Sequence, residues 1–156
     1  MKEIIINALK ECEKHTEMLK WQNNNLNSIF PITPEKLKEI DITTKSFIDS
    51  TIFRFAKLQD TISQRIFKNI LILLEEDIEN YSFLDILNKL EKLTIIPSAE
   101  KWIELRKIRN TIVHEYETNF DLIAEELNLF YNYIPILLEI YEKLKDYLDK
   151  KLNIKL

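Results

Sequence analysis

The chain contains no glycine among its 156 residues, and only four prolines. Glycine supplies the positive φ angles of tight β-turns, and it forms the phosphate-binding loops of Walker and Rossmann nucleotide-binding proteins. Walker and Rossmann signatures are therefore excluded, and tight β-turns are not expected. Leucine, isoleucine, lysine and glutamate dominate the composition instead. A chain of this length is expected to form one domain, spanning residues 1–156.

Two long segments carry regular apolar stripes. The last segment repeats apolar residues at alternating steps of four and three, which is the spacing of a coiled-coil seam: Ile123, Leu127, Phe130, Ile134, Leu137, Tyr141, Leu144 and Leu148. A helix from about Thr43 carries a second stripe of Ile48, Ile52, Phe55, Ile62, Ile66, Ile70 and Leu73. Pro135 is expected to kink the last helix. These stripes predict an all-α fold, an antiparallel helical bundle of five or six helices, with apolar surface left over for dimerisation.

The first third of the chain is predicted to hold two shorter helices. An N-terminal helix covers Lys2 to Trp21 and ends in the polar stretch Gln22 to Asn25. Thr33 followed by Pro34 is typical of an N-cap with proline at the first helical position, and this helix is expected to stop near Asp41.

Two further helices are predicted before the last one. Ser82 and Asp85 have the spacing of a capping box, and the helix that they begin ends before Pro97. Ser98 begins the next helix, whose inward-facing residues are expected to be Trp102, Leu105, Ile108 and Ile112.

Charge and cysteine content narrow the function. The net charge of −4 predicts no chain-wide affinity for nucleic acid, so any RNA contact must be local. The single cysteine, Cys12, and two distant histidines make a disulfide, a metal site or another cofactor unexpected. The sequence lacks an apolar run long enough to span a membrane and begins without a signal-peptide pattern, so a cytoplasmic location is expected.

The segment from Arg109 to Tyr116 is the candidate active site. In a regular helix Asn110 and His114 face the same way, and Arg109 shares the adjacent face with Tyr116. RNA cleavage by its own 2′-hydroxyl needs an acid, a base and a cation at the phosphate, and histidine and arginine supply these groups. Because each chain offers one such histidine, two copies facing each other across a two-fold axis are the natural way to complete a site.

A structural interpretation of the same residues needs no substrate. His114 is then a favourable cation at a helix C-terminus, and Tyr116 is a half-buried ring. In this interpretation Arg109 pairs with Glu115 or Glu104.

The pattern Arg109-Asn110-x-x-x-His114-x-Tyr116 on a late helix of a small bundle resembles the HEPN superfamily, and HepT-like toxins in particular. The specific similarity covers Trp102 to Tyr116, and a looser one extends over Phe53 to Ile62. Where Ser63 stands, HepT-like proteins often have glycine, and the N-terminal helix is extra to the HEPN-like domain.

The resemblance implies a homodimeric, metal-independent ribonuclease toxin without a cofactor, in which Arg109, Asn110 and His114 are catalytic. It also implies that Tyr116 accepts adenylyl groups from a cognate antitoxin, a nucleotidyltransferase of the minimal (MNT) type. The added phosphate would block the RNA site by charge and by size.

Other residues receive predictions of their own. Arg54, Lys57, Arg65 and Lys68 form a basic stretch interrupted by Asp60; it either flanks an RNA groove or is the solvated face of a helix. His15, among charged neighbours, is expected at the surface. Cys12, Trp21 and Trp102 are expected in the core.

Two other functions remain open at this point. The first alternative to the ribonuclease toxin is a non-catalytic helical partner that docks a nucleotidyltransferase and presents Tyr116, or the whole Arg109–Tyr116 segment, as a binding or nucleotide-accepting surface. A third possibility is a dimerisation module in which the Arg109–Tyr116 segment is only a polar helix end.

Overall fold

The computed structural model describes residues 1–114 and 119–156, except for the side chains of Val113 and His114. Over this range the chain forms seven α-helical segments, one π-helical segment and no strand. The π-helical segment joins two of the α-helical segments end to end into one long helix, so the described residues form six separate helices. The segments are α1 (Lys2–Leu26), α2 (Pro34–Glu39), α3 (Ile42–Thr61), the π-helical segment (Ile62–Phe67), α4 (Lys68–Leu73), α5 (Phe83–Lys92), α6 (Ala99–His114) and α7 (Phe120–Leu152). The predicted all-α bundle of five or six helices is confirmed.

α1 is longer than predicted, because it continues past Trp21 to Leu26. Gln22 is buried and donates a hydrogen bond to Ser50 Oγ of α3 at 3.1 Å, and Leu26 is also buried. Packing against α3 therefore keeps the backbone helical through a polar stretch that favours a turn on its own.

The predicted starts of α2 and α3 are close to the observed ones. Thr33 Oγ1 accepts a hydrogen bond from the backbone N–H of Lys36 at 3.2 Å, and Pro34 occupies the first turn of α2. α3 begins at Ile42, where the Asp41 carboxylate accepts from the backbone N–H of Thr44 at 2.7 Å. Side-chain caps at both starts satisfy donors that the first turn leaves without intrahelical partners.

The stripe along α3, the π-helical segment and α4 forms part of the core, as predicted. Six of its seven residues are buried, and Leu73 packs against the core from a half-buried position. The π-helical turn was not predicted. It follows Asp60 by two residues and contains Ser63, whose hydroxyl accepts a hydrogen bond from Trp102 Nε1 at 3.1 Å. This contact ties the middle of the long helix to α6.

α5 and α6 begin at the predicted caps. Ser82 and Asp85 form a reciprocal capping box with distances of 3.1 and 2.9 Å, and Ser98 Oγ accepts from the backbone N–H of Lys101 at 3.0 Å. The four inward-facing residues predicted for α6 are all buried: Trp102, Leu105, Ile108 and Ile112. The register of α6 therefore fixes which face carries Arg109 and Asn110.

α7 buries all eight residues of the predicted seam. It continues through Pro135 as one helix, and the kink expected there stays a prediction. Its N-cap is Asn119, whose side chain accepts from the backbone N–H of Leu122 at 3.2 Å. Among the described residues, no helix combines the length and apolarity needed to cross a membrane.

Candidate functional site

Arg109 is held against α3 by two contacts. Its Nη1 donates to the Asp60 carboxylate at 2.7 Å and to the backbone carbonyl of Ala56 at 3.1 Å. The Arg109 side chain is only 15% exposed, whereas that of Asp60 is 41% exposed. Because Ala56 and Asp60 are one helical turn apart, a single stretch of α3 fixes the guanidinium group.

Arg109 and Asn110 line an open cleft between α3 and α6, with a volume of about 500 Å³. The lining residues are Lys45, Asp49, Ile52, Phe53, Ala56, Asp60, Arg109, Asn110 and Ile112. Ile52 and Ile112 are buried and belong to the core. The cleft thus combines apolar walls with a few charged and amide groups, a composition typical of binding sites.

Phe53 is the exposed aromatic residue of this cleft, with 56% of its surface accessible. The Lys57 ammonium lies 5.5 Å from the centre of its ring. An aromatic ring beside a cation is an arrangement that can stack a nucleobase and attract a phosphate.

Two of the four predicted site residues fall outside the described side chains. α6 extends to His114, so the backbone is helical over the whole interval from Asn110 to His114. The His114 side chain and all of Tyr116 lie outside the described residues. Their predicted roles, and the shared face of Asn110 and His114, stay predictions.

In the structural interpretation Arg109 was predicted to pair with Glu115 or Glu104, and the prediction of Glu104 was wrong. Glu104 accepts from Lys101 at 2.9 Å and from the Tyr133 hydroxyl at 3.2 Å. Arg109 pairs with Asp60, which lies 49 residues away in the sequence. Glu115, the other predicted partner, lies outside the described residues.

The basic stretch on the long helix divides between two sides. Arg54 donates to His15 Nδ1 at 3.0 Å, and Arg65 forms an ion pair with Glu11, so both of these arginines contact α1. Lys57 and Lys68 are exposed, and Lys57 lies next to Phe53 of the cleft. The stretch is therefore not a uniformly solvated helix face, and its position beside an RNA groove stays a prediction.

His15 is buried, and the prediction of a surface histidine was wrong. It is 8% exposed, and its Nδ1 accepts the hydrogen bond from Arg54 because a guanidinium group can only donate. Burial lowers the pKa of His15 below its usual value, and the charge of Arg54 lowers it further. His15 is thus a neutral component of the α1–α3 interface.

The other core predictions divide by residue. Trp102 and Cys12 are fully buried as predicted, and burial raises the pKa of the Cys12 thiol to about 12, which removes it as a nucleophile. Trp21 is 57% exposed, so its assignment to the core was wrong. Its ring makes an edge contact with Phe47 at 5.7 Å.

Sequence reasoning missed Asp60 and Phe53 as members of the site. Asp60 did stand out as the one acid within the basic stretch Arg54–Lys68, but its partner could not be identified from spacing.

Within the described part of the chain, histidine, cysteine and acidic side chains form no group of three or more that could hold a metal ion. In comparisons with protein-family models, curated protein sequences and solved structures, nothing matched the chain.

Proposed function

We propose that the chain is a metal-independent endoribonuclease toxin of the HepT type, which cleaves RNA at a cleft shared by two copies. The observation that carries this proposal is the placement of Arg109 and Asn110 together at an open cleft, with the guanidinium group held by α3. A purely structural arginine needs its ion pair but no adjoining cavity. The proposal accounts for both.

The proposed reaction is attack of the RNA 2′-hydroxyl on the adjacent phosphorus. A base removes the 2′-hydroxyl proton as the O2′–P bond forms, and an acid protonates the 5′-oxygen as the P–O5′ bond breaks. The products end in a 2′,3′-cyclic phosphate and a 5′-hydroxyl. His114 is the acid/base residue, since histidine titrates near neutral pH. Arg109 stabilises the charge that develops on the phosphate, and Asn110 orients the phosphate or the imidazole.

A homodimer supplies the second imidazole that this reaction needs. The outer face of α3 carries Phe53 and Ile42, and Ile42 is 83% exposed. These residues are 11 apart, or about three helical turns, and so lie on the same side of α3. Exposed apolar residues beside the cleft are what an interface between copies would use.

The same proposal assigns a cytoplasmic toxin–antitoxin pair. The partner is an MNT-type nucleotidyltransferase that adenylylates Tyr116, which places negative phosphate two residues from His114 and excludes RNA by repulsion and size. The rival function, a non-catalytic partner of such an enzyme, keeps Tyr116 but needs neither His114 nor Arg109 for chemistry.

Inducible expression in a bacterial host tests the nuclease function. We expect the wild type to arrest growth, and His114→Ala and Arg109→Ala to abolish the arrest at equal protein levels. Lys107→Ala is the matched control, because it removes an exposed cation of α6 that does not line the cleft, and it should remain toxic. Toxicity that survives in His114→Ala would rule out the proposed chemistry.

A further inference from the structure

Asp60 is the charged partner of Arg109 in the cleft, and its carboxylate is more exposed than the arginine that it holds. We propose that Asp60 is a positioning residue of the RNA-cleaving site, which fixes the Arg109 guanidinium in the orientation that meets the phosphate. This inference rests on the proposed nuclease function and adds a residue to it.

The geometry of the two contacts supports this role. Asp60 and the Ala56 carbonyl both engage Nη1, so neither contact uses the edge formed by Nε and Nη2. That edge is a planar pair of donors that matches two oxygens of a phosphate. An arginine side chain loses considerable rotamer freedom when it is fixed, and here the folded scaffold fixes it before RNA binds.

Asp60 also opposes RNA binding, because a carboxylate at the cleft repels phosphate. A residue that only stabilises the fold would not affect binding and turnover in opposite directions. A positioning carboxylate should do so. Removing its charge strengthens RNA binding, whereas loosening Arg109 slows the chemical step.

Asp60→Asn separates these effects, because asparagine keeps an oxygen that can accept from Arg109 but forms a weaker, uncharged hydrogen bond. Asp49→Asn is the matched control. Asp49 lines the same cleft and lies on the same helix, about 16 Å along α3 from Asp60. Arg109 forms its ion pair with Asp60. Both substitutions therefore remove one negative charge from the cleft, but only Asp60→Asn changes the hydrogen bond that holds Arg109.

Single-turnover cleavage of a defined RNA at increasing protein concentration yields a maximal rate and a half-saturating concentration. Asp60→Asn should lower the maximal rate about tenfold or more, since misplacement of a catalytic group by about 1 Å can cost about 100-fold. Both asparagine variants should lower the half-saturating concentration about two- to fivefold. Circular dichroism and urea unfolding verify that each variant is folded, and Asp60→Glu, which keeps the charge, should recover part of the lost rate.

The outcomes distinguish this inference from the function beneath it. If the wild type cleaves RNA and Asp60→Asn has the same maximal rate as Asp49→Asn, the positioning role is wrong and the nuclease function stands. If the wild type cleaves no RNA, the proposed function is wrong and the role of Asp60 falls with it. A lower maximal rate for Asp60→Asn alone, with tighter RNA binding in both variants, supports the inference.

Discussion

The long helix formed by α3, the π-helical segment and α4 presents charged residues to two neighbours, and the two sides differ. Towards α1, Arg54 donates to the buried His15, and Arg65 forms an ion pair with Glu11 in which both side chains are partly exposed. Towards α6, Asp60 meets Arg109 at the edge of an open cleft. Both sides pair an arginine with a polar group across two helices. The two sides therefore contain similar residue types, and the candidate site is distinguished by the open cleft beside the Arg109–Asp60 pair.

The largest expected effect comes from replacing Arg109 and Arg54, one at a time, by alanine. Arg109→Ala should reduce RNA cleavage by about 100- to 1000-fold, the range observed when a donor to a developing negative charge is removed. Its effect on unfolding should be small, because the exposed Asp60 can be solvated. Arg54→Ala should leave cleavage within about twofold but lower the free energy of unfolding by about 1 to 3 kcal/mol, because His15 loses its buried hydrogen-bond donor.

Cleavage assays and urea unfolding on both variants provide the measurement. The assignment of cleavage to the α6 side and of stability to the α1 side is contradicted if Arg54→Ala loses cleavage while remaining folded, or if Arg109→Ala unfolds the protein.

The next effect concerns pH and the α1 side. The pKa of His15 is lower in the folded protein than in the unfolded chain, chiefly because of burial and then because of Arg54. Its contribution to stability is therefore fully present above the unfolded value of about 6.5 and is lost as the pH falls towards the folded pKa. We expect the wild type to lose more unfolding free energy than His15→Gln between pH 7.5 and pH 5. Urea unfolding at both pH values measures this, and equal losses in the two proteins would contradict the neutral, buried role of His15.

The smallest effect tests which cations face RNA. Lys57→Gln should raise the RNA concentration needed for half-saturation about two- to threefold and weaken its salt dependence, because Lys57 lies beside Phe53 at the cleft. Arg65→Gln should change neither quantity, because Arg65 pairs with Glu11 of α1. Its cost in unfolding free energy should be below about 1 kcal/mol, since both partners are substantially exposed. Equal effects of the two substitutions on RNA binding would show that a cation on the α1 side of the helix contacts RNA as well.

Helix positions were largely predictable because apolar periodicity and caps are local signals. The eight-residue seam of α7 and the capping box at Ser82 are examples, and both were observed as expected. The end of α1 was misplaced because contacts with α3, which the local sequence does not encode, hold Gln22 in the helix.

The burial errors on α1 had a signal that was overlooked. His15 lies three residues after Cys12 and four before Leu19, so it belongs to the buried stripe in spite of its charged neighbours. Trp21 lies two residues after Leu19 and therefore falls off that stripe. Register outweighs residue type in both cases.

The Arg109–Asp60 pair could not have been predicted in this way. It joins residues 49 apart on different helices, and its formation depends on how α3 and α6 pack. The sequence could identify Arg109 and Asn110 as candidates from the pattern of the Arg109–Tyr116 segment, but not the carboxylate that holds the arginine.

Chelator-resistant RNA cleavage is the most direct test of the account. Purified wild-type protein and His114→Ala should be incubated with bulk RNA in EDTA, and the fragment ends should be analysed. The account predicts that the wild type yields fragments with 2′,3′-cyclic phosphate and 5′-hydroxyl ends and that His114→Ala yields none. Fragments produced equally by both proteins, or wild-type cleavage that EDTA abolishes, would contradict it.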